Sequence, residues 1–261
     1  MDKFSLIGKN MRRVDTTSKA TGEAIFSADL ILPRMLVGKV LRSPHPHARI
    51  ISIDTSRAEK LPGVKAVVTA KDTCGDKWGV FRYTQDQQFL PTEKVRYVGE
   101  EVAAVAAVDE DTALEALKLI NVQYEKLPAV FSVEESLAPN APRIHDTYPN
   151  NINIHVKIDV GDVEKGFQES FYVREDTFSA PEDSYFQGEP YAVAAQFDHS
   201  GNLEIWMPNA GPHLKAKPLS NALKIPLNKV RVRKIKIGGA FGGRSEVSPA
   251  DMICALLARK S

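Results

Sequence analysis

Residues 230–260 read as a strand, a glycine-rich turn and a capped helix in direct succession. Val230 and Val232 alternate with Arg231 and Arg233, then the phase slips and Ile235 and Ile237 alternate with Lys234 and Lys236. Period-two alternation places one apolar face on a sheet, and the slip predicts a β-bulge. Gly238-Gly239-Ala240-Phe241-Gly242-Gly243-Arg244 comes next. Ser248 then supplies a helix cap, Pro249 suits the first helical position, Asp251 completes a capping box, and Met252, Ile253, Leu256 and Leu257 fall at helical spacing. A strand, a glycine turn and a helix in that order commit the chain to mixed α/β layers and aim backbone N–H groups at an anion, as in phosphate sites.

Two glycine motifs can be weighed against this segment. The dinucleotide fingerprint G-x-G-x-x-G fails, because counting from Gly238 its second glycine is Ala240 and counting from Gly239 it is Phe241. The phosphate loop G-x-x-x-x-G-K-[ST] comes nearer, with Gly238 and Gly243 bracketing four residues before Arg244-Ser245. Arg244 stands where that motif needs lysine, and the 18 residues after Gly243 leave no room for the strands that would complete a nucleoside triphosphatase sheet. A third reading is purely structural: a turn that lets strand and helix pack closely.

Charge sharpens the picture. The 261 residues carry 34 basic and 33 acidic side chains, a net of +1. Yet no Asp or Glu occurs between Ile205 and Ser245, while Lys215, Lys217, Lys224, Lys229, Arg231, Arg233, Lys234, Lys236 and Arg244 supply nine cations, leaving 25 basic against 33 acidic residues elsewhere, a net of −8. A seat for an anionic ligand and a solvated strand face both fit that run. The near-neutral total argues against a nucleic-acid or membrane coat. Cys74 and Cys254 make neither a disulfide framework nor a zinc site, and no apolar stretch reaches the roughly 18–20 residues of a membrane span, so a cytoplasmic protein is expected.

The first half alternates short strands and helices. Residues 36–41, 50–54 and 64–69 are strand-like, with a helical turn at 55–60. Residues 102–108 form an apolar strand, Asp109 to Thr112 offer caps, and Ala113, Leu114, Ala116, Leu117 and Ile120 follow at helical spacing before a strand around Val122 and Tyr124. Pro139, Asn140, Pro142, Pro149, Asn150 and Asn151 mark a linker. Beyond it, residues 152–160, 171–178, 191–197 and 203–207 read as strands, 198–202 as a hairpin turn around Gly201, and 212–223 as a helix that Pro218 would break or kink.

Ile237 to Arg244 resembles the glycine-rich loop of the molybdenum hydroxylases, the xanthine dehydrogenase and aldehyde oxidase family. So, in order, do Leu41-Arg42-Ser43-Pro44-His45-Pro46-His47-Ala48-Arg49-Ile50, Tyr97-Val98-Gly99-Glu100-Glu101-Val102-Ala103-Ala104-Val105 and Gly188-Glu189-Pro190-Tyr191-Ala192. The resemblance is to the N-terminal portion of the molybdopterin-binding large subunit. It implies an α+β chain: an α/β hammerhead domain with an N-terminal extension over residues 1–141, a linker at 142–151, and at 152–261 the first, truncated part of a strand-rich mixed α/β molybdenum-cofactor domain.

The resemblance also implies roles. Gly239, Ala240, Phe241, Gly242, Gly243 and Arg244 would approach a molybdenum–molybdopterin cofactor, in plain or dinucleotide form, with small residues letting the main chain come close. Asn209 and Ala210 fall near the place of a family glutamine that bonds the oxo ligand; Glu189 matches a recurrent glutamate, and Glu246 lies one residue past a purine-binding position, which holds Ser245. The carboxylate of Glu189 can equally serve buried backbone donors. His45 and His47, flanked by prolines, read as structural. The catalytic residues would lie outside this chain, and iron–sulfur clusters and FAD on partner subunits. The expectation is therefore part of an oxidoreductase acting on a heteroaromatic or aldehyde, or else a non-catalytic cofactor-binding or assembly module; a nucleotide-binding domain is the third alternative.

Overall fold

The computed structural model describes residues 4–79, 84–181, 183–184 and 186–261. After α1 (Thr16–Ala20) come β1 (Val37–Arg42), β2 (Ala48–Asp54), α2 (Ser56–Glu59) and β3 (Val64–Thr69), then the short strands β4 (Lys77–Trp78), β5 (Gln87–Gln88) and β6 (Lys94–Val95). The longer β7 (Glu101–Ala107), α3 (Glu110–Leu119), β8 (Asn121–Lys126) and α4 (Val133–Leu137) complete the first half. One antiparallel sheet runs β1-β7-β3 and another β6-β2-β8.

β7 is buried along its whole length, and its period of two divides the core. Ala103 and Val105, with Val67, face Ala58 of α2 and Ala116 beneath α3. Ala104 and Ala106, with Ala66 and Val68, face the second half of the chain. Small side chains let layers close on both faces. Asp109 caps α3, its carboxylate accepting the Thr112 N–H at 2.7 Å, so the strand-to-helix transition sits where the sequence signals it.

In the second half, α5 (Val163–Glu169) precedes β9 (Ala194–Phe197), β10 (Leu203–Met207), α6 (Pro212–Leu223), β11 (Val230–Lys234) and α7 (Pro249–Lys260). β9 and β10 form the expected hairpin, with Gly201 at φ +74°, and β11 lies parallel to β10 after the α6 crossover. Leu203, Ile205 and Met207 of β10 and Met252, Ile253, Ala255, Leu256 and Leu257 of α7 share one core with Val68 and Ala104. A continuous apolar cluster thus joins the two halves.

Four expectations change. α6 spans Pro218 without a break; the ring forfeits the bond to the Leu214 carbonyl in a turn whose Leu214 side chain is exposed. The phase slip after Arg233 produces no bulge: β11 keeps one register against β10, the Ile235 N–H still donates to Met207 O of β10 at 3.3 Å, and the partner changes only at Lys236, whose N–H donates to Ile25 O at 3.2 Å. Residues 152–160 and 171–178 form no strand, since no described strand pairs with their backbone, and of 191–197 only Ala194–Phe197 pairs. Among the described residues, no helix is long and apolar enough to cross a membrane.

Candidate functional site: the glycine loop and its cleft

The loop after β11 is held from behind. Glu189 Oε2 accepts the Gly238 N–H at 2.7 Å, and Oε1 accepts the Ser27 N–H at 3.3 Å and its hydroxyl at 3.1 Å. The Glu189 carbonyl takes Arg244 Nη2 at 2.6 Å. Gln187 Nε2 donates to Ala240 O at 2.8 Å, and the Ala210 N–H donates to Arg244 O at 3.1 Å. Between these ties the backbone turns sharply: Gly239 has φ +113°, Gly242 +90°, and Phe241 adopts +41°, a left-handed conformation unfavourable by about 1–2 kcal/mol for a residue with a side chain. A Cβ on Gly239 would stand 2.9 Å from Phe241 Cε2, a contact the exposed ring can relieve, so it is the backbone conformation that requires glycine there.

A buried polar network underlies the loop. Arg244 is only 1% exposed and its guanidinium lies 4.5 Å from the centre of the Tyr191 ring. The Tyr191 hydroxyl donates to Asp251 Oδ1 at 2.5 Å and accepts from Lys215 Nζ at 2.7 Å, while Lys215 and Asp251, both fully buried, pair at 3.0 Å. Burial and the Asp251 charge drive the Tyr191 phenol well above its ordinary range, and burial lowers the Lys215 ammonium against the pull of Asp251. The sequence pattern showed Lys215 only as one of nine cations and Asp251 only as a cap. Nothing local signals that a residue from α6 and one from α7 meet across 36 positions.

The outer face of the loop borders an open cleft of about 840 Å³ whose walls include Trp78, Asp86 and Gln87 opposite Phe241, Gly242, Gly243 and Glu246. The Phe241 ring is 66% exposed, and partial burial raises the Glu246 carboxyl. The N–H groups of Gly239, Ala240, Phe241 and Gly242 have no protein acceptor among the described residues. The structure thus brings the loop and Glu246 together on the cleft and places Glu189, Ala210 and the Arg244 side chain behind it. Asn209 is fully buried, with Nδ2 donating to Met207 O at 3.2 Å and Oδ1 without a donor among the described residues. The basic run is largely spent internally: besides Lys215 and Arg244, Lys224 pairs with Asp76, Arg233 with Glu204 at 2.5 Å, and Lys229 donates to Ser200 O at 2.8 Å. His47 Nδ1 donates to Pro128 O at 2.6 Å and His45 packs edge-on against Tyr124, both structural roles.

Comparison with known proteins bears on both halves. Residues 21–128 match the "aldehyde oxidase and xanthine dehydrogenase, a/b hammerhead domain" family, and residues 144–261 match the "molybdopterin cofactor-binding domain" family. The chain belongs to the xanthine dehydrogenase and aldehyde oxidase family. It corresponds to an N-terminal portion of the molybdopterin-binding large subunit of these molybdenum hydroxylases. It is 40% identical over 98% of its length to a probable xanthine dehydrogenase subunit of Bacillus subtilis, and 36% identical over 97% to the nicotinate dehydrogenase large molybdopterin subunit of Eubacterium barkeri. It spans 34% of the first and 59% of the second. Among solved structures, quinoline 2-oxidoreductase from Pseudomonas putida 86 aligns with 98% of the chain at a TM-score of 0.89 and 31% identity, the match covering 34% of that protein.

For a family of molybdenum hydroxylases the decisive fit is at the glycine loop. Four consecutive N–H groups without protein acceptors among the described residues, three of them on left-handed backbone at Gly239, Phe241 and Gly242, suit a ligand rich in anionic oxygen or sulfur. Gly242 leaves open space on that side, since a Cβ there would meet no atom within 4 Å. The residues present fit the cofactor.

Proposed function

We propose that this chain supplies one wall of the cofactor site in a molybdenum hydroxylase that oxidises a heteroaromatic or aldehyde, with the hammerhead domain at 1–141, the linker at 142–151 and the cofactor region at 152–261. The observation that carries this is the N–H run from Gly239 to Gly242, free of protein acceptors among the described residues, in a loop that Glu189 clamps and whose Phe241 and Gly242 line the cleft. When bound, the molybdenum centre supplies the two-electron chemistry. This chain's residues bind and orient. The loop N–H groups hold anionic atoms of the pterin, in plain or dinucleotide form, the Phe241 ring bounds the substrate side, and Glu246, its carboxyl raised by partial burial, faces the same cleft. Buried Arg244 supports the loop through its guanidinium, so its part in cofactor binding runs through the backbone.

The rest of the molybdenum subunit, together with iron–sulfur and FAD subunits, would complete the enzyme, because the chain spans a third to three-fifths of these two relatives. On its own the chain should turn over no substrate. The test is molybdenum and pterin analysis of the chain co-expressed with the remainder of its complex. Stoichiometric metal and pterin, lost in Gly242→Val, are expected; a well-folded complex containing neither would overturn the proposal.

A further inference from the structure

The cleft in front of the glycine loop has two walls of different origin. Phe241 and Glu246 belong to the loop and the approach to α7, while the β4–β5 hairpin of the hammerhead brings Trp78, Asp86 and Gln87. Antiparallel pairing sets Trp78 opposite Gln87, and the Trp78 ring stacks on buried Phe89 with centroids 5.5 Å apart and planes 8° from parallel. That backing fixes the hairpin wall. Asp86, just before β5, is tied to the second half of the chain, its Oδ2 accepting Asn153 Nδ2 at 3.0 Å. The amide holds the carboxylate in place without neutralising it. Charge on the lining is one-sided: Asp86 and Glu246 supply carboxylates, and among the described residues no lysine or arginine lines the cleft. The cations behind the loop are engaged elsewhere, Arg244 with Glu189 O and the Tyr191 ring, Lys215 with Asp251.

We infer that Asp86 of the hammerhead is a specificity-determining residue, acting with Glu246 across the cleft to admit neutral or cationic substrates and to turn away heteroaromatics that bear a carboxylate. The inference rests on the cofactor reading and deepens it, because the loop N–H groups, which attract anions, are then taken by the cofactor and the remaining charge on the lining is negative. Trp78 and the exposed Phe241 ring offer apolar surface to a planar ligand. A neutral amide or ring N–H can donate to either carboxylate. A carboxylate on the ligand would instead lose hydration beside like charges, with no lysine or arginine of the described lining to pair with it. A cleft lined by one sign of charge focuses its field, so the discrimination acts on entry as well as on the bound state.

The test is calorimetric titration of the chain assembled with the rest of its complex, using isonicotinamide and isonicotinate, which share a ring and differ in charge. Low ionic strength preserves the field, and a pH of about 8 keeps the raised Glu246 carboxyl ionised. Isonicotinamide should bind at least about tenfold more tightly than isonicotinate. Asp86→Asn and Glu246→Gln should each narrow that gap by strengthening isonicotinate, and the double variant should close it. Glu115→Gln, at an exposed position of α3, should leave it unchanged. Asparagine at 86 still accepts from Asn153, so that variant should melt with wild type. Equal affinities in wild type, failure of both compounds to bind, or a gap that survives the double substitution would overturn the inference. Molybdenum and pterin are measured on the same preparation. Full content with equal affinities overturns the charge selection alone, whereas absence of both overturns the cofactor reading and the premise drawn from it.

Discussion

Glu189 and Gly238 are joined at 2.7 Å, carboxylate to N–H, at the point where the chain leaves β11 for the glycine loop. The same carboxylate takes the Ser27 N–H and hydroxyl, and the Glu189 carbonyl takes Arg244, so one residue ties the N-terminal segment to both ends of the loop. A Cβ on Gly238 would approach Glu189 Cβ to 2.7 Å, so the clamp also requires glycine at its contact point.

Glu189→Ala should therefore cost about 1–3 kcal/mol, the penalty for leaving partly buried donors unsatisfied, and should release the loop. Urea denaturation reads the first effect, and molybdenum content of the assembled complex the second. Glu189→Gln keeps one acceptor oxygen but turns an NH₂ group toward N–H donors, so it should fall between wild type and alanine. A variant with unchanged stability and full metal content would show that the clamp does not position the loop.

Lys215→Met should destabilise the chain by about 3–5 kcal/mol, because Asp251 would remain buried without its cation. Removing both charges, with methionine at 215 and asparagine at 251, should recover part of that loss, since asparagine still accepts the Tyr191 hydroxyl and can cap α7. Chemical denaturation of the two single variants and the double variant gives the coupling. A coupling near zero would mean the pair does not act as a unit.

Tyr191 gives this network a pH signature. Its phenol is raised in the folded state, chiefly by burial and then by the Asp251 charge, so its contribution to stability is complete below the ordinary phenol value of about 10 and is lost as pH rises above it. Lys215, shifted the opposite way, is common to wild type and Tyr191→Phe. The difference in alkaline ultraviolet titration between the two proteins should stay flat until unfolding, then appear as one phenolate. A phenolate difference emerging near pH 10 in folded protein would refute the burial argument.

Much of this organisation is legible in the sequence where a local signal and the tertiary answer coincide. Ser248, Pro249 and Asp251 mark the start of α7, and the Ser248 side chain indeed accepts the Asp251 N–H at 3.4 Å. β3 and β10 occupy the expected residues because their alternation is satisfied within the chain. Residues 152–160 have equally clear alternation, but pairing is a property of two segments, and the second is missing among the described residues. At the site, the glycines announce the strained turn, while the fate of the cations was hidden. Whether Arg244 points at a ligand or under its own loop depends on Tyr191 and Glu189, more than fifty residues away.

α7 supplies the last prediction, about how the two halves unfold. Met252, Ile253, Leu256 and Leu257 lie in one apolar cluster with Ala66, Val68, Ala104 and Ala106 of the hammerhead sheet and Leu203, Ile205 and Met207 of β10. Lys260 Nζ adds bonds to Val67 O at 2.7 Å and Asp72 at 2.8 Å. A helix from one family domain is thus part of the core of the other. The two should lose structure in one cooperative transition, and Leu256→Ala should lower that transition by about 2–5 kcal/mol without splitting it. Tryptophan fluorescence reports both halves, since Trp78 lies in the hammerhead and Trp206 in β10. In each of Trp78→Phe and Trp206→Phe, the curve from the remaining tryptophan should superimpose on that same variant's circular dichroism curve, and two midpoints within one variant would show that the shared core does not couple the halves.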